Sequence, residues 1–335
     1  MALKTGVVGT GNMGQDHIQR LATSISNARV VAVSDVNVEQ AKRVADAVGT
    51  ARVHSEGHDL VADDEVQAVV IASPGFTHEE YTLACIAAGK PVLCEKPLAP
   101  TTDACLRVLE AEAARSERLV QVGFMRRYDD GYRAMKHTLD TGLIGRPLLL
   151  HCAHRNAATP AGFTSDMMIT DSVVHEIDVT RWLLGQEVVA ANILAPRRTS
   201  LAPEGLQDPQ FVLLETEDGV LVDVESFVNC QYGYDIRCEL VGETGTVSLG
   251  EQAGVDVREQ GRHYGAVPAD WRVRFARAYH TELQEWVTGV LRGEVSGPSA
   301  WDGYATTAVA ECCLEALAAG RRAVVDLAER PAFYA

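Results

Sequence analysis

Three stretches of the chain combine residue types that can do chemistry. The first is Gly9-Thr10-Gly11-Asn12-Met13-Gly14, a G-x-G-x-x-G turn after the apolar run Leu3 to Val8 and before a helix-compatible segment, Gln15 to Ile25. Strand, glycine turn and helix in that order suit a dinucleotide pyrophosphate. Gly9 permits the tight turn, Gly11 lets the backbone approach the phosphate, and Gly14 lets the helix pack on the strand. The N–H groups at the helix start, around Asn12 and Met13, receive the phosphate charge. A second apolar run, Val30 to Ser34, ends at Asp35, about twenty residues beyond Gly14, where an acid accepts hydrogen bonds from ribose hydroxyls. Such an acid repels a 2′-phosphate, and no arginine stands in Asp35-Val36-Asn37, so NAD is favoured over NADP. A polar residue that merely ends a strand is the plainer reading of Asp35.

The second stretch is Glu95-Lys96-Pro97. Pro97 biases Lys96 away from helical backbone, which aims the ammonium across a crevice and not along a helix face. An exposed loop lysine fits the same tripeptide; its place beyond an apolar strand raises the functional reading. The third is Ile169-Thr170-Asp171-Ser172-Val173-Val174-His175-Glu176-Ile177-Asp178. On a helix, Asp171 and His175 share one face, and Asp178 follows on the same side. One helix start then presents an acid, an imidazole and a second acid. Thr170 or Asp171 as an N-cap, a solvated Asp/His face, or a core histidine with a satisfied partner fit these residues too. No H-E-x-x-H or cysteine cluster accompanies them, which disfavours a metal.

These stretches need elements to position them. Strands are expected at 3–8, 29–34, 51–54, 68–72, 91–94 and 118–122, and helices near 12–25, 37–48, 57–63, 77–88 and 101–115. Alternation with continuously apolar strands predicts an α/β unit with a doubly wound parallel sheet, its ligand crevice at the carboxyl ends of the strands. Ser73 and His78 follow one strand, Glu95 and Lys96 another, and Val36 adjoins Asp35, so all five join the candidate cofactor contacts. A helix is expected at 129–141. Beyond it, strands at 147–154, 188–195, 210–216, 219–228, 234–241 and 245–249 follow one another with few helices, which predicts an α+β unit with an open, mainly antiparallel sheet. Asp218-Gly219 marks a hairpin. Helices are expected at Ser172 to Leu184, 272–292 and 300–319, and a surface loop from Pro196 to Pro209. The expected domains are residues 1–122 and 123–335, with the C-terminal segment free to pack back on the first.

The composition narrows the function classes. A chain of 335 residues is long enough for two domains. Forty-six acids against 30 bases give a net charge of −16, which disfavours a nucleic-acid footprint. The 8 cysteines are scattered, with no C-x-x-C pair, and suit a reducing cytoplasm. Met1 to Val8 has no signal-peptide pattern, and no apolar run is long enough to span a bilayer.

Taken together, Gly9 to Gly14, Asp35, Glu95-Lys96-Pro97 and Asp171-x-x-x-His175 resemble the glucose–fructose oxidoreductase and inositol dehydrogenase family over essentially the whole chain. Many members carry glycine two residues after that aspartate; here Val173 stands there. Met167 to Asp178 and Gly123-Phe124-Met125-Arg126-Arg127-Tyr128-Asp129 look most like its inositol 2-dehydrogenase branch. The resemblance implies a Rossmann domain, a C-terminal α/β domain whose open sheet often builds homotetramers, and NAD-dependent oxidation of myo-inositol to 2-keto-myo-inositol in inositol catabolism. It also implies a catalytic trio of Lys96, Asp171 and His175, with Arg126, His154, Asp178 and Tyr234 as further substrate contacts. In that mechanism His175 is the general base, Asp171 orients it, and Lys96 donates to the reacting oxygen. A dehydrogenase for another inositol isomer or sugar has the same trio. A dinucleotide-sensing regulator without catalysis is the alternative of a different class, and it has no need of all three residues.

Overall fold

The computed structural model describes residues 2–49, 52–250 and 257–334. The chain divides into two compact units, Met1–Met125 with Tyr279–Thr307 and Ala328–Ala335, and Arg126–Ala278 with Ala308–Leu327. Among the described residues no helix is long and apolar enough to cross a membrane.

In the first unit strands and helices alternate: β1 (Leu3–Val8), α1 (Asn12–Thr23), β2 (Ala28–Ser34), α2 (Val38–Ala47), β3 (Arg52–His54), α3 (Gly57–Ala62), β4 (Ala68–Ile71), α4 (His78–Ala88), β5 (Val92–Glu95), α5 (Thr102–Arg115) and β6 (Val120–Gly123). Of the strand expected at 51–54, Ala51 lies outside the described residues. All six strands run parallel in the order β3-β2-β1-β4-β5-β6. The order reverses between β1 and β4, so the crevice of a doubly wound sheet opens beside the ends of those two strands. Ile18 and Leu21, three apart on α1, pack with Val7, Val33, Val70 and Leu93 of the sheet. Leu283, Trp286 and Val287 join the same core.

The second unit begins with α6 (Asp130–Asp140), whose N-cap Asp129 accepts from the N–H groups of Gly131 and Tyr132. β7 (Pro147–Arg155) and the short α7 (Ser165–Met167) precede a π-helical turn, Met168–Val173, that runs into α8 (Val174–Leu184). Then come β8 (Val188–Leu194), β9 (Gln210–Thr216), β10 (Leu221–Phe227), β11 (Asp235–Gly242) and β12 (Thr246–Ser248). An exposed hairpin follows, β13 (Val257–Glu259) with β14 (Arg262–Tyr264). α9 (Trp271–Arg274) and α10 (Ala276–Leu291) replace the single helix expected at 272–292, with a break at Phe275, and α10 belongs to the first unit from Tyr279 onward. α11 (Ala300–Ala319) and the two-residue β15 (Ala323–Val324) complete the elements.

The seven-stranded sheet has the order β12-β11-β7-β10-β9-β8-β15. It is mixed, because β10 pairs with β7 in parallel, Val224 opposite Cys152. The long crossover through α7 and α8 makes that possible; a tight hairpin joins only antiparallel strands. The expected hairpin stands between β9 and β10, closed by Gly219 N–H to the Thr216 carbonyl at 2.9 Å, with Gly219 at φ +82°. Burial alternates along β9 and β10, so one face of each packs inward and the other is half exposed. The stretch Pro196 to Pro209 is the expected loop, mostly exposed and pinned at three buried residues. Leu206 and Ala202 pack on Met168 and Val228. Asp208 is buried and accepts from Val228 N–H at 3.0 Å and Asn229 Nδ2 at 2.9 Å.

Candidate functional site

In the first unit the glycine turn has the shape its sequence requires. Gly9 adopts φ +94°, and a Cβ there would lie 2.6 Å from the Ala72 carbonyl oxygen. A Cβ on Gly14 would lie 1.9 Å from the Gly9 carbonyl oxygen, so only glycine lets α1 start this close to β1. A Cβ on Gly11 would meet nothing within 4 Å. That open side lies at the N-cap of α1, where no side chain caps the helix and no acid stands in the first turn. The uncapped first turn, carrying Asn12 and Met13, suits a pyrophosphate. Asp35 is locked beside it. Its Oδ2 accepts from Thr10 N–H at 2.7 Å and Thr10 Oγ1–H at 2.8 Å, and its Oδ1 from Asn37 N–H at 2.8 Å. The Thr10 carbonyl accepts from Gln15 Nε2 and Gln40 Nε2, so the whole turn is held from both sides. Val36, next to Asp35, is 88% exposed. This cradle fits a dinucleotide with free ribose hydroxyls.

The loops after β4 and β5 bring Ser73, His78, Glu95 and Lys96 into one network. The Ser73 hydroxyl shares a hydrogen bond with Thr77 Oγ1 at 2.7 Å. His78, expected as a cofactor contact, is buried instead. Its Nδ1 meets the Pro97 carbonyl at 2.6 Å and its Nε2 the Ser73 carbonyl at 2.9 Å, which leaves no ring nitrogen for a ligand. Burial alone lowers its pKa, but Cys94 and the two carbonyls outweigh burial and push it up to about 9. Glu95, also expected at the cofactor, is committed too. Its Oε1 lies 2.7 Å from His17 Nε2 and its Oε2 accepts from Lys96 N–H at 3.3 Å. Lys96 is half-buried, and its peptide bond to Pro97 is cis. His17 did not stand out in the sequence; its only signal was an imidazole one residue before Ile18 on the apolar face of α1.

In the second unit the expected straight α-helix through Asp171 and His175 is modified. Asp171 sits exposed on the π turn and His175 is buried in the first turn of α8. Neither Thr170 nor Asp171 is an N-cap; Thr164 caps the preceding helix by accepting from Met167 N–H. A π turn adds a residue to the helical circuit and changes which side chains align, a device frequent at functional sites. The rings of His154, on β7, and His175 stack with centroids 6.3 Å apart, and Tyr234 meets His154 edge-on at 5.8 Å. His154, His175 and Tyr234 therefore gather in one cluster of the second unit. Burial, opposed by Arg126, pushes the Tyr234 hydroxyl up to about 12, so it is a hydrogen-bond donor at neutral pH.

Arg126 and Asp178, also expected as substrate contacts, are each held in a buried ion pair. Arg126 is 1% exposed, and its guanidinium donates to Glu176 Oε1. Phe275 and Tyr132 pack on the guanidinium. His154 Nδ1 lies 3.0 Å from Glu176 Oε2 and 3.1 Å from Arg126 Nη2, so the same ring nitrogen faces both an acceptor and a donor. Burial alone raises the Glu176 carboxyl pKa, yet Arg126 and His154 hold it below the ordinary value, and the pair is ionic. Asp178 is buried in a bidentate pair with Arg127, Nε to Oδ2 at 3.0 Å and Nη2 to Oδ1 at 2.5 Å. Glu176 and Arg127 are the functional supports the sequence did not single out. A charged residue amid the apolar Val174, Ile177 and Leu183 was the available signal for Glu176.

Comparison with known proteins adds the following. Residues 3–124 match an oxidoreductase family model described as an NAD-binding Rossmann fold, and residues 136–327 match the model of its C-terminal alpha/beta domain. Inositol 2-dehydrogenase of Burkholderia ambifaria (strain MC40-6) is 51% identical over 335 residues, covering 100% of this chain and 99% of that protein. That of Pseudomonas syringae pv. syringae (strain B728a) is 52% identical and covers 100% of both. Among solved structures, myo-inositol dehydrogenase from Lactobacillus casei in complex with NAD(H) and myo-inositol superposes with a TM-score of 0.97 at 38% identity, covering 100% of both chains. Scyllo-inositol dehydrogenase from the same organism, with NAD(H) and scyllo-inositol, gives 0.89 at 26% identity over 97% of this chain and 99% of that one.

Proposed function

Because the chain belongs to the glucose–fructose oxidoreductase and inositol dehydrogenase family and is an NAD-dependent oxidoreductase, we propose that it oxidises myo-inositol at one CH–OH group to 2-keto-myo-inositol. The observation that carries the substrate is the full-length identity of 51% to inositol 2-dehydrogenases, with Lys96, Asp171 and His175 all present. NAD, when bound at the Gly9–Gly14 turn, supplies the acceptor for the hydride that leaves the substrate carbon. The chain's own residues then manage the proton and the charge. His175 accepts the hydroxyl proton, the role that imidazole most often takes in general base catalysis. Asp171 orients that ring and stabilises its charged form. Lys96 donates to the reacting oxygen and favours its alkoxide character. Tyr234 offers a donor hydroxyl, and His154 its other ring nitrogen, to neighbouring substrate hydroxyls.

The reading includes a homotetramer built through the open sheet of the second unit, where Leu149, Leu194 and Leu221 are exposed. It also includes work in the cytoplasm, which suits eight free cysteines, and a role in inositol catabolism. The deciding assay follows NADH formation over a panel of polyols with identification of the ketone. Myo-inositol is expected to give the highest kcat/KM; a higher value for scyllo-inositol, chiro-inositol or a hexose reassigns the substrate, and no turnover on any of them removes the dehydrogenase reading.

A second expected outcome concerns the cofactor. Asp35→Ser removes the carboxylate that Thr10 and Asn37 orient. NAD affinity falls about tenfold, as for a lost hydrogen bond to a charged group, while NADP affinity rises. Titration of both dinucleotides into the variant checks this, and an unchanged ratio removes Asp35 as the ribose reader.

A further inference from the structure

Lysine is a point charge on a flexible four-carbon stem, so where its ammonium can act depends on how firmly its backbone is held. Here the residues on both sides of Lys96 are tied to helices. Glu95, before it, presents Oε1 to His17 Nε2 of α1 at 2.7 Å and takes the Lys96 N–H on its other oxygen at 3.3 Å. Pro97, after it, presents its carbonyl to His78 Nδ1 of α4 at 2.6 Å. We propose that His17 and His78 are positioning residues that bracket Lys96, one through the carboxylate of Glu95 and the other through the carbonyl of Pro97.

Three features separate this from ordinary packing. First, both ring nitrogens of His78 meet carbonyl oxygens, Pro97 on one side and Ser73 on the other. Carbonyl oxygens only accept, so both nitrogens donate and the ring is an imidazolium. The charged ring thus cross-links the loops after β4 and β5, with Cys94 as its titratable neighbour. Second, His17 lies on the helix that begins at the glycine turn, so one rigid element places both the cofactor cradle and the anchor of Glu95. Third, the surroundings of Glu95 and His17 are closely packed. A Cβ on Gly123 would lie 3.1 Å from its carboxyl carbon, and Tyr279 meets the His17 ring edge-on at 6.0 Å. Neither histidine touches a reacting atom in this account; both act through Lys96, and the kinetic part rests on the reading of Lys96 as catalytic.

The test has an arm that needs no turnover. Lysines carrying ¹³C-methyl groups give an NMR signal for Lys96, identified by its loss in Lys96→Ala. His17→Ala and His78→Ala are each expected to shift that signal, with and without NAD; an unmoved signal in both variants overturns the proposal. In the kinetic arm each variant lowers kcat about tenfold, the scale of one anchoring hydrogen bond, with NAD affinity held within about twofold. In the Lys96→Ala background the same changes add less than about twofold, because they act through the missing side chain. An equal tenfold loss in that background means the histidines act elsewhere and overturns the bracket. If Lys96→Ala alone turns over like the unmodified enzyme, the catalytic reading of Lys96 fails, and the NMR arm still decides the positioning. Should an alanine variant not fold, His78→Gln and His17→Asn keep one donor each and are expected to show a smaller shift and partial kcat.

Discussion

His175→Ala lowers kcat by about 10²–10⁴, the usual loss when a general base is removed, while the NAD dissociation constant stays within about twofold. The split follows from location. His175 stands in the second unit, at the start of α8, whereas the dinucleotide cradle of Gly9, Gly11 and Asp35 is built by the first. The imidazole stacks on His154, whose Nδ1 is held by Glu176, so removing it takes away the proton acceptor without disturbing the glycine turn. Steady-state turnover with the polyol and direct titration of NAD measure the two quantities separately. Retained turnover assigns the base to another group; a parallel collapse of NAD affinity shows a folding defect. The result also separates an enzyme from a dinucleotide-sensing regulator, because only an enzyme has turnover to lose.

Arg126→Met is expected to destabilise the protein by about 3–5 kcal/mol, the cost of leaving one member of a buried ion pair without the other. The guanidinium is 1% exposed, and Glu176, its partner, is equally buried. Methionine fills much of the volume but leaves Glu176 with His154 alone, so the carboxylate takes a proton or strips one more group from its place. Urea denaturation reads the loss as a lowered midpoint with little change in slope. Replacing both charges, Arg126→Met with Glu176→Leu, is expected to recover most of it, since a hydrophobic pair of similar volume is often neutral against a buried ion pair. Unchanged stability with a raised KM for the polyol is the contrary result. It returns Arg126 to the substrate, where the sequence motif had suggested it.

These two residues mark where the sequence was informative and where it was not. The helix that carries His175 was legible because its signal is local. Helical spacing from Asp171 and the neighbouring apolar Val174 and Ile177 are properties of a short run of chain. The Rossmann unit was legible for the same reason. Most of the expected strands and helices of that unit form within a residue or two of the expected ends. The surroundings of Arg126 were not legible, because nothing adjacent to it shows that its partner is Glu176, fifty positions later. Its burial is a property of the assembled unit, which packs Phe275 and Tyr132 against the guanidinium.

By itself the amino-acid sequence determined the order of elements, the glycine turn with its acid at Asp35, and the set of candidate groups. Backbone preference and hydrophobic period are decided within a few turns of chain. The tertiary structure alone decided which of those groups pair with one another. It ties His78 to the Pro97 carbonyl, Glu95 to His17 and Asp178 to Arg127, and it sets β7 parallel to β10. The physical reason is that a polar side chain leaving water must find its complement among whatever the fold brings near, and that complement is set by contacts far apart in sequence.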